Sequence, residues 1–167
     1  MNIIAALDKN CGIGYQNRLL YRIPEDMQYF KALTTGKVVV MGRSTLNSFP
    51  GGLPLPNRIN AVLSRDASLR IENAAVFNSI AALLDFLKAY PAEDVFVIGG
   101  ETVYEQLIDL CDTAYLTEID AERPADAFFT KKIFAPPWRK THRSETKEFD
   151  GLKYAFCVYK KDLTPVD

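Results

Sequence analysis

Short β-rich runs alternate with helical patterns over most of the chain, and this alternation constrains the fold more than any other feature. The β-rich runs are NIIAAL (2–7), KVVVMG (37–42), INAVLS (59–64), AAVF (74–77) and DVFVIGG (94–100). The helical patterns lie between them, at 24–34, 43–49, 79–90 and 101–110. Such an alternation predicts a mostly parallel sheet with helices on both faces.

The pattern changes after residue 112. The segments TAYLTEID (113–120), THRSETKEF (141–149) and LKYAFCVYKK (152–161) are strand-like, with no helical pattern between them. Asp150-Gly151 is a strong tight-turn signal, so the last two strands should form an antiparallel hairpin. We therefore predict one α/β domain over 1–167, with a central, mostly parallel sheet of about eight strands, an antiparallel C-terminal edge hairpin and about four flanking helices.

Three segments connect these elements and are candidates for binding and motion. They are longer than the other connections or richer in glycine and proline, and they lie at 8–23, 50–58 and 121–139. Residues 14–23 show neither helix nor strand periodicity, so we expect a loop there.

Composition excludes several classes of function. The net charge of -1, without a long basic run, argues against nucleic acid or an anionic membrane as a partner. No signal peptide and no membrane-length apolar run is present. Three scattered cysteines without a CxxC pair suit a reducing cytoplasm, and a lone histidine, His142, argues against a histidine metal site or a serine triad. We expect a cytoplasmic protein without a metal.

Two strand–glycine–helix junctions suggest a phosphate-bearing ligand. VVVMGRST passes from a strand through Gly42 into a helix, and DVFVIGGETVYEQL does the same through Gly99-Gly100. Glycine permits close approach of a ligand, and the following helix start offers unpaired N–H groups. Each junction alone could be an ordinary turn between strand and helix, but the pair favours a ligand with several phosphates across the strand ends. A P-loop and a Rossmann fingerprint are both absent.

The segment YRIPEDMQYFK raises a question about two neighbouring acids. On a helix, Met27, Phe30 and Leu33 form one apolar arc that includes Asp26, whereas Glu25 lies on the far side. One interpretation is that Asp26 is a first-turn acid favoured by the helix dipole. The other is that Asp26 lines a cavity and binds a ligand rich in N–H donors.

These motifs together resemble dihydrofolate reductase of the bacterial type. IAALDKNCGIGYQNRLLYRIPEDMQYFK, VVVMGRSTLNSF, LPLPNR, VFVIGGETVYEQL and YLTEIDAE match that family in order and spacing over nearly the whole chain. The resemblance implies NADPH-dependent reduction of 7,8-dihydrofolate, by hydride transfer to C6 and protonation of N5, in a monomer that also binds antifolate inhibitors. The alternatives are a riboflavin-pathway pyrimidine reductase of the same fold, which Asp26 argues against, and a catalytically silent nucleotide-binding module.

The resemblance also implies a set of site residues. The catalytic group would be Asp26, with Tyr21 and Leu19 nearby. Thr117 would support Asp26, and Arg58 would pair with the substrate's glutamate α-carboxylate. The substrate pocket would comprise Ile4, Ala5, Asp26, Met27, Phe30, Phe49, Leu55, Arg58, Ile98, Tyr104 and Thr117. NADPH would contact Ala6, Ile13, Gly14, Asn17, Gly42, Arg43, Ser44, Thr45, Leu63, Ser64, Arg65, Ile98, Gly99, Gly100, Glu101, Thr102, Val103 and Tyr104, with the adenosine-binding part at roughly 38–107.

Finer expectations follow from the same resemblance. A cis peptide is expected between Gly99 and Gly100, and residues 14–23 should act as a lid over the nicotinamide. Tyr21 stands where bacterial members usually have Trp, and Leu20 replaces a common Pro. Glu101 stands where a third glycine is common, and we expect its side chain to point away from the phosphates.

Overall fold

The computed structural model describes residues 1–163, so positions 164–167 of the predicted domain lie outside the described residues. The strands are β1 (Asn2–Leu7), β2 (Gly12–Tyr15), β3 (Arg18–Leu19), β4 (Val38–Gly42), β5 (Ile59–Leu63), β6 (Ala74–Phe77), β7 (Val95–Gly99), β8 (Thr113–Ile119), β9 (Ala127–Phe128), β10 (Trp138–Arg143), β11 (Lys147–Phe149) and β12 (Leu152–Lys161). The α-helices are α1 (Pro24–Thr34), α2 (Arg43–Ser48), α3 (Ile80–Leu87) and α4 (Glu101–Leu107).

The central sheet confirms the predicted α/β class. Its strand order is β10-β12-β8-β1-β7-β4-β5-β6, with β11 also paired to β12. The six strands from β8 to β6 in that order are parallel to one another. β12 is antiparallel to β8, β10 and β11. The strands β1, β4 and β7 are almost fully buried, which explains their continuous apolar runs.

The C-terminal region differs from the prediction in one respect. The predicted strand at 141–149 is two strands, β10 and β11, which brings the sheet of the described residues to nine strands, in agreement with the predicted number of about eight. Ser144 interrupts the ladder: its N–H donates to the Phe156 carbonyl, and its hydroxyl accepts from the Phe156 N–H. The predicted hairpin turn is confirmed, since Phe149 pairs with Leu152 across Asp150-Gly151.

The loop expected at 14–23 is wrong in its first half. β2 and β3 form a hairpin whose turn residues, Gln16 and Asn17, have φ angles of 49° and 58°. β2 also pairs with β9 in the segment 121–139, which gives a separate three-stranded sheet. Strands of four and two residues are too short to show periodicity in the sequence. We call residues 12–21 the lid hairpin.

Helix boundaries shift by small amounts. α3 begins at Ile80 with Ser79 as its N-cap, where the Ser79 hydroxyl accepts from the Ala82 N–H, and it ends at Leu87 rather than at residue 90. The predicted helix at 101–110 is α4 followed by a 3-10 turn at Ile108–Leu110. Within residues 1–163, no helix is long and apolar enough to cross a membrane.

Candidate active site

Asp26 is a partly buried carboxylate between α1 and the sheet. The Thr117 hydroxyl on β8 donates to Asp26 Oδ1 at 2.6 Å. Thr117 is itself buried and pairs in register with Ala6 of β1, so the carboxylate lies where β1 and β8 adjoin. Burial raises the pKa of Asp26, and the Thr117 hydrogen bond opposes that rise only in part.

Glu25 faces a different part of the protein from Asp26. The Tyr154 hydroxyl donates to Glu25 Oε2 at 2.5 Å, and Lys147 Nζ lies 3.0 Å from Glu25 Oε1. These two partners lower the pKa of Glu25, so its carboxylate is a charged group that ties α1 to β11 and β12. The two neighbouring acids therefore have separate surroundings: Glu25 bonds to β11 and β12, whereas Asp26 bonds to β8.

Most of the predicted apolar pocket residues lie around the same end of the sheet. Phe49, Leu55 and Ile98 pack on one buried cluster, while Ile4 is buried and Ala5 packs on the main core. On α1, Met27 is 41% exposed, more than the other two members of the predicted apolar arc. Phe30 and Leu33 are half-buried.

Arg58 lies beside the C-terminal half of α1, where it contacts the buried Thr34 and the half-buried Phe30. Its Nε donates to Thr34 Oγ1 at 3.3 Å, and Nη1 donates to the Pro56 carbonyl at 2.8 Å. The guanidinium carbon lies 6.0 Å from the centre of the Phe30 ring. Partial burial lowers the pKa of Arg58, yet an arginine stays charged at neutral pH. A cation is thus held near Phe30 by two hydrogen bonds.

Tyr104 connects α4 to β1. Its hydroxyl donates to the Ile4 carbonyl at 2.7 Å, and its ring centre lies 4.8 Å from that of Phe129. Burial is the main reason that the pKa of Tyr104 is raised, and the charge of Asp26 adds to it. The Gly99–Gly100 peptide next to Tyr104 is cis, which confirms the expectation.

The two glycine junctions lie side by side, at the ends of the neighbouring parallel strands β4 and β7. A Cβ added to Gly42 would lie 3.2 Å from Val103 Cγ2 on α4, and one added to Gly100 would lie 3.3 Å from Thr45 Oγ1 on α2. Each glycine therefore permits close approach of the other junction's helix. Among the described residues, no side chain caps the start of α2 or α4, which leaves backbone N–H groups for another acceptor.

The remaining predicted cofactor residues surround these junctions or the lid hairpin. Ser44 and Thr102 are exposed on α2 and α4, Leu63 ends β5, and Ile13 packs on the core. Gly14 pairs with Leu19 in the lid hairpin, Asn17 is in its turn, and Leu19 is 51% exposed. Glu101 points to β9, where its carboxylate accepts from the Phe128 N–H at 3.3 Å.

A corner formed after β4 and β5 contains a carboxylate that the sequence analysis did not assign. Arg43 Nη1 lies 3.6 Å from Asp66 Oδ2, and the Asp66 N–H donates to Ser64 Oγ at 3.2 Å. Arg65 is exposed on the same loop. Arg43, Ser64 and Asp66 therefore lie together, and Asp66 forms an ion pair with one of the predicted cofactor-binding residues, Arg43.

Tyr21 has a partner that the sequence analysis also missed. Its hydroxyl donates to Asp8 Oδ2 at 3.0 Å, and both residues are buried. The two side chains are far enough apart in the sequence that no periodic pattern connects them.

Comparison with known proteins identifies the family. A family model described as dihydrofolate reductase matches residues 1–161. The chain belongs to the dihydrofolate reductase family. The dihydrofolate reductase of Neisseria meningitidis serogroup B is 38% identical over 160 residues, which cover 95% of this chain and 96% of that protein. The dihydrofolate reductase of Staphylococcus aureus is 38% identical over 134 residues, or 80% of each protein.

Two further family members place these similarities in context. The bifunctional dihydrofolate reductase-thymidylate synthase of Paramecium tetraurelia is 36% identical over 157 residues, which are 93% of this chain but only 33% of that protein. This chain thus spans about a third of the bifunctional relative. The structure of dihydrofolate reductase from Enterococcus faecalis, complexed with NADP(H) and RAB-propyl, has a TM-score of 0.86, is 30% identical, and covers 96% of this chain and 95% of its own.

Proposed function

We propose that this protein reduces 7,8-dihydrofolate to 5,6,7,8-tetrahydrofolate with NADPH. The observation that carries the proposal is the partly buried Asp26 carboxylate, to which a single hydroxyl, that of Thr117, donates a hydrogen bond. A carboxylate accepts several hydrogen bonds, and Thr117 uses only part of that capacity. The remaining capacity suits a flat ligand with adjacent N–H donors.

The pterin ring has that donor pattern. Its N3–H and 2-amino group can donate side by side to one carboxylate, and such charge-assisted pairs fix orientation as well as adding binding energy. Asp26 would thus orient the ring and favour a proton at N5, which makes C6 a better hydride acceptor. The raised pKa of Asp26 suits this role because it brings the group closer to the working pH.

NADPH fits the two glycine junctions. Gly42 and Gly100 keep the strand ends open, and the uncapped starts of α2 and α4 present N–H groups suited to the pyrophosphate. Arg43, with Ser64 and Arg65, would hold the adenosine 2′-phosphate, and we place the adenosine-binding part within residues 38–107. When bound, NADPH supplies the hydride.

Arg58 would bind the other end of the substrate. Its planar guanidinium can form two parallel hydrogen bonds with the glutamate α-carboxylate, which a lysine cannot do. Phe30, beneath Arg58, would contact the apolar middle of the same substrate. Antifolate inhibitors would occupy this pocket in competition with dihydrofolate.

Loss of absorbance at 340 nm, on mixing the protein with NADPH and dihydrofolate, tests the proposal. The expected result is consumption of NADPH that an antifolate blocks and that Asp26→Asn largely removes. Consumption with the riboflavin-pathway pyrimidine, and none with dihydrofolate, would favour the first alternative. NADPH binding without consumption of either substrate would favour the silent nucleotide-binding module.

We further propose that the enzyme acts in the cytoplasm as a monomer. Support for the compartment comes from Cys11, Cys111 and Cys157, which are all buried as free thiols, a state that reducing conditions maintain. The monomer rests on the family resemblance. Sedimentation at micromolar concentration tests it, and a dimer mass would contradict it.

A further inference from the structure

Asp8 is a buried carboxylate outside the substrate pocket. It follows β1 directly, and only 4% of it is exposed. Four groups donate to its oxygens: the Gly12 N–H at 2.8 Å, the Asn10 N–H at 3.0 Å, the Tyr21 hydroxyl at 3.0 Å and the Arg123 N–H at 3.2 Å. A buried carboxylate is costly unless such donors satisfy it. Asp8 therefore holds all four groups in place.

These donors come from three separate stretches of chain. Asn10 and Gly12 lead into β2, Tyr21 ends the lid hairpin, and Arg123 lies in the segment before β9. Because β9 pairs with β2, the carboxylate lies where both ends of the lid hairpin and its neighbouring segment meet. Removal of Asp8 would release all three at once.

Arg123 strengthens the same junction by a different contact. Its guanidinium carbon lies 4.4 Å from the centre of the Tyr21 ring, a cation–π distance, and its Nη1 donates to the Leu20 carbonyl at 3.0 Å. Tyr21 is thus held at its hydroxyl by Asp8 and at its ring face by Arg123. Two independent contacts fix one side chain.

Tyr21 connects this junction to the candidate active site. It packs in one cluster with Ile23, the N-cap residue of α1, and with Ala6, the β1 partner of Thr117. Asp26 lies in the first turn of α1 and bonds to Thr117. A displacement of Tyr21 would therefore reach both elements that hold Asp26.

The direction of the Tyr21 hydroxyl also bears on the proton route. Its hydrogen is donated to Asp8, and burial with that bond raises the pKa of Tyr21 to about 12. Asp8, Arg123 and Glu122 are the charged groups that act on it. A hydroxyl committed in this way is a poor proton donor to a substrate at neutral pH.

We propose that Asp8 is a positioning residue for hydride transfer, which acts by holding Tyr21 and the lid hairpin against the elements that carry Asp26. Tyr21 is then a packing and orienting group and not a proton source. The inference rests on the proposed reductase function for its kinetic consequences. Its structural part is independent of that function.

The structural part can be tested in the ligand-free protein by hydrogen exchange. Asp8→Asn places an NH2 group opposite the Tyr21 hydroxyl and the Arg123 N–H. Exchange at Arg123 and over residues 12–21 should accelerate at least about tenfold, because the lost bond involves a charged acceptor. Protection equal to the wild type at these amides would overturn the proposal, whether or not the protein reduces dihydrofolate.

Single-turnover hydride transfer tests the kinetic part. Asp8→Asn and Tyr21→Phe should each slow hydride transfer about tenfold, with the KM for dihydrofolate and the Kd for NADPH changed less than about twofold. The double variant should be no slower than the worse single variant, since both break one bond. Additive losses, or unchanged hydride transfer in both single variants, would overturn the proposal.

Tyr159→Phe is the matched control. Tyr159 is as buried as Tyr21, and its hydroxyl also donates to a carboxylate, that of Glu118, but in the central sheet. It should lose stability without changing hydride transfer. If Tyr159→Phe slows hydride transfer as much as Tyr21→Phe does, a general loss of stability explains both and the proposal fails.

The pH profile separates positioning from proton donation. Tyr21→Phe should lower the rate of hydride transfer at every pH and leave its apparent pKa unchanged. A profile that loses or shifts its apparent pKa would place the hydroxyl in the proton route and overturn the proposal. Arg123→Ala gives a second variant if Asp8→Asn does not fold, and it should also slow hydride transfer without altering the profile.

Discussion

Asp26 and Asp8 are both carboxylates withdrawn from water, yet their surroundings differ in one decisive way. Asp8 accepts four hydrogen bonds from its own chain, whereas Asp26 accepts one, from Thr117. A buried acid with a full set of donors stabilises the fold, and one with acceptor capacity left over is suited to a ligand. The raised pKa of Asp26 is consistent with this incomplete compensation.

The largest expected effect is on chemistry at Asp26. Asp26→Asn keeps the shape but turns one acceptor oxygen into a donor that would face the donors of the pterin. We expect hydride transfer at pH 7 to fall by about 100-fold or more, the usual scale for an acid–base group. The Kd for NADPH should change little. Stopped-flow measurement of NADPH oxidation provides both values.

The same variant should recover at low pH, where solvent can protonate the substrate directly. Wild-type turnover at pH 7 would contradict the role of Asp26 and favour the interpretation as an ordinary first-turn acid. Glu25→Gln is a useful comparison, because it changes the neighbouring acid that bonds to Tyr154 and Lys147. It should affect stability more than hydride transfer.

The second expected effect concerns the corner that holds Arg43. We expect NADPH to be preferred over NADH by about two orders of magnitude, since each charge-assisted hydrogen bond contributes about 1.5–3 kcal/mol. Arg43→Ala and Arg65→Ala should each weaken NADPH about tenfold and leave NADH nearly unchanged. The effect should shrink at high salt because the corner is exposed. Fluorescence titration with both cofactors measures it.

Removal of the charge of Asp66 should affect NADPH affinity in the opposite direction from removal of Arg43. Asp66 pairs with Arg43 at 3.6 Å, so binding of the phosphate must compete with this ion pair. Asp66→Asn should tighten NADPH and not NADH. Equal use of NADPH and NADH by the wild-type protein would show that the residues of this corner do not bind the 2′-phosphate.

The sequence predicted those parts that depend on long, repeated signals. Local residue types indicated the apolar runs of β4 and β7, the glycines at their ends, and the helix at 24–34. The short strands β2 and β3 were not indicated in this way, because so few residues carry no period. Tertiary pairing with β9 is what stabilises them.

The roles of two carboxylates, Asp8 and Asp66, could not be predicted from the sequence for a different reason. Asp8 bonds to Arg123 across 115 positions of the chain, and Asp66 lies in a polar loop that resembles any exposed turn. Nothing in the local sequence distinguishes either acid from a surface residue. Only the folded arrangement shows which donors reach them.

Stability offers a smaller but direct test of the contrast between the two acids. Asp8→Asn should lower the free energy of unfolding at pH 7 by about 1.5–3 kcal/mol, because it breaks bonds to a buried charge. Asp120→Asn is the matched control, since Asp120 is exposed and its carboxylate pairs with Lys9 at 3.0 Å. It should change stability very little. Chemical denaturation of the three proteins gives the comparison.

Asp26→Asn should change the free energy of unfolding at pH 7 in the opposite direction from Asp8→Asn. The folded protein raises the pKa of Asp26, so the folded state binds that proton more tightly than the unfolded state. Stability from this group is present below the unfolded pKa and is lost as pH rises through the folded pKa. The variant should therefore be more stable than the wild type at pH 7, and the difference should vanish at low pH. A destabilised variant at pH 7 would break the contrast.

The smallest expected effect concerns Glu101, at the start of α4. Its carboxylate accepts a hydrogen bond from the Phe128 N–H of β9, the strand that pairs with β2 of the lid hairpin. The charge is nevertheless in the first turn of the helix that we propose to bind the pyrophosphate, where a second anion is repelled. The site is exposed, so water and salt screen most of that repulsion. Glu101→Gln keeps the hydrogen bond to Phe128 but removes the charge, and it should tighten NADPH binding about threefold at low salt and by less at high salt.

Glu105→Gln is the control one turn further along α4, where the acid pairs with Lys132 at 2.7 Å, and it should leave the Kd for NADPH unchanged. Weaker binding by Glu101→Gln would mean that the carboxylate supports the cofactor site through β9 more than it repels the phosphates.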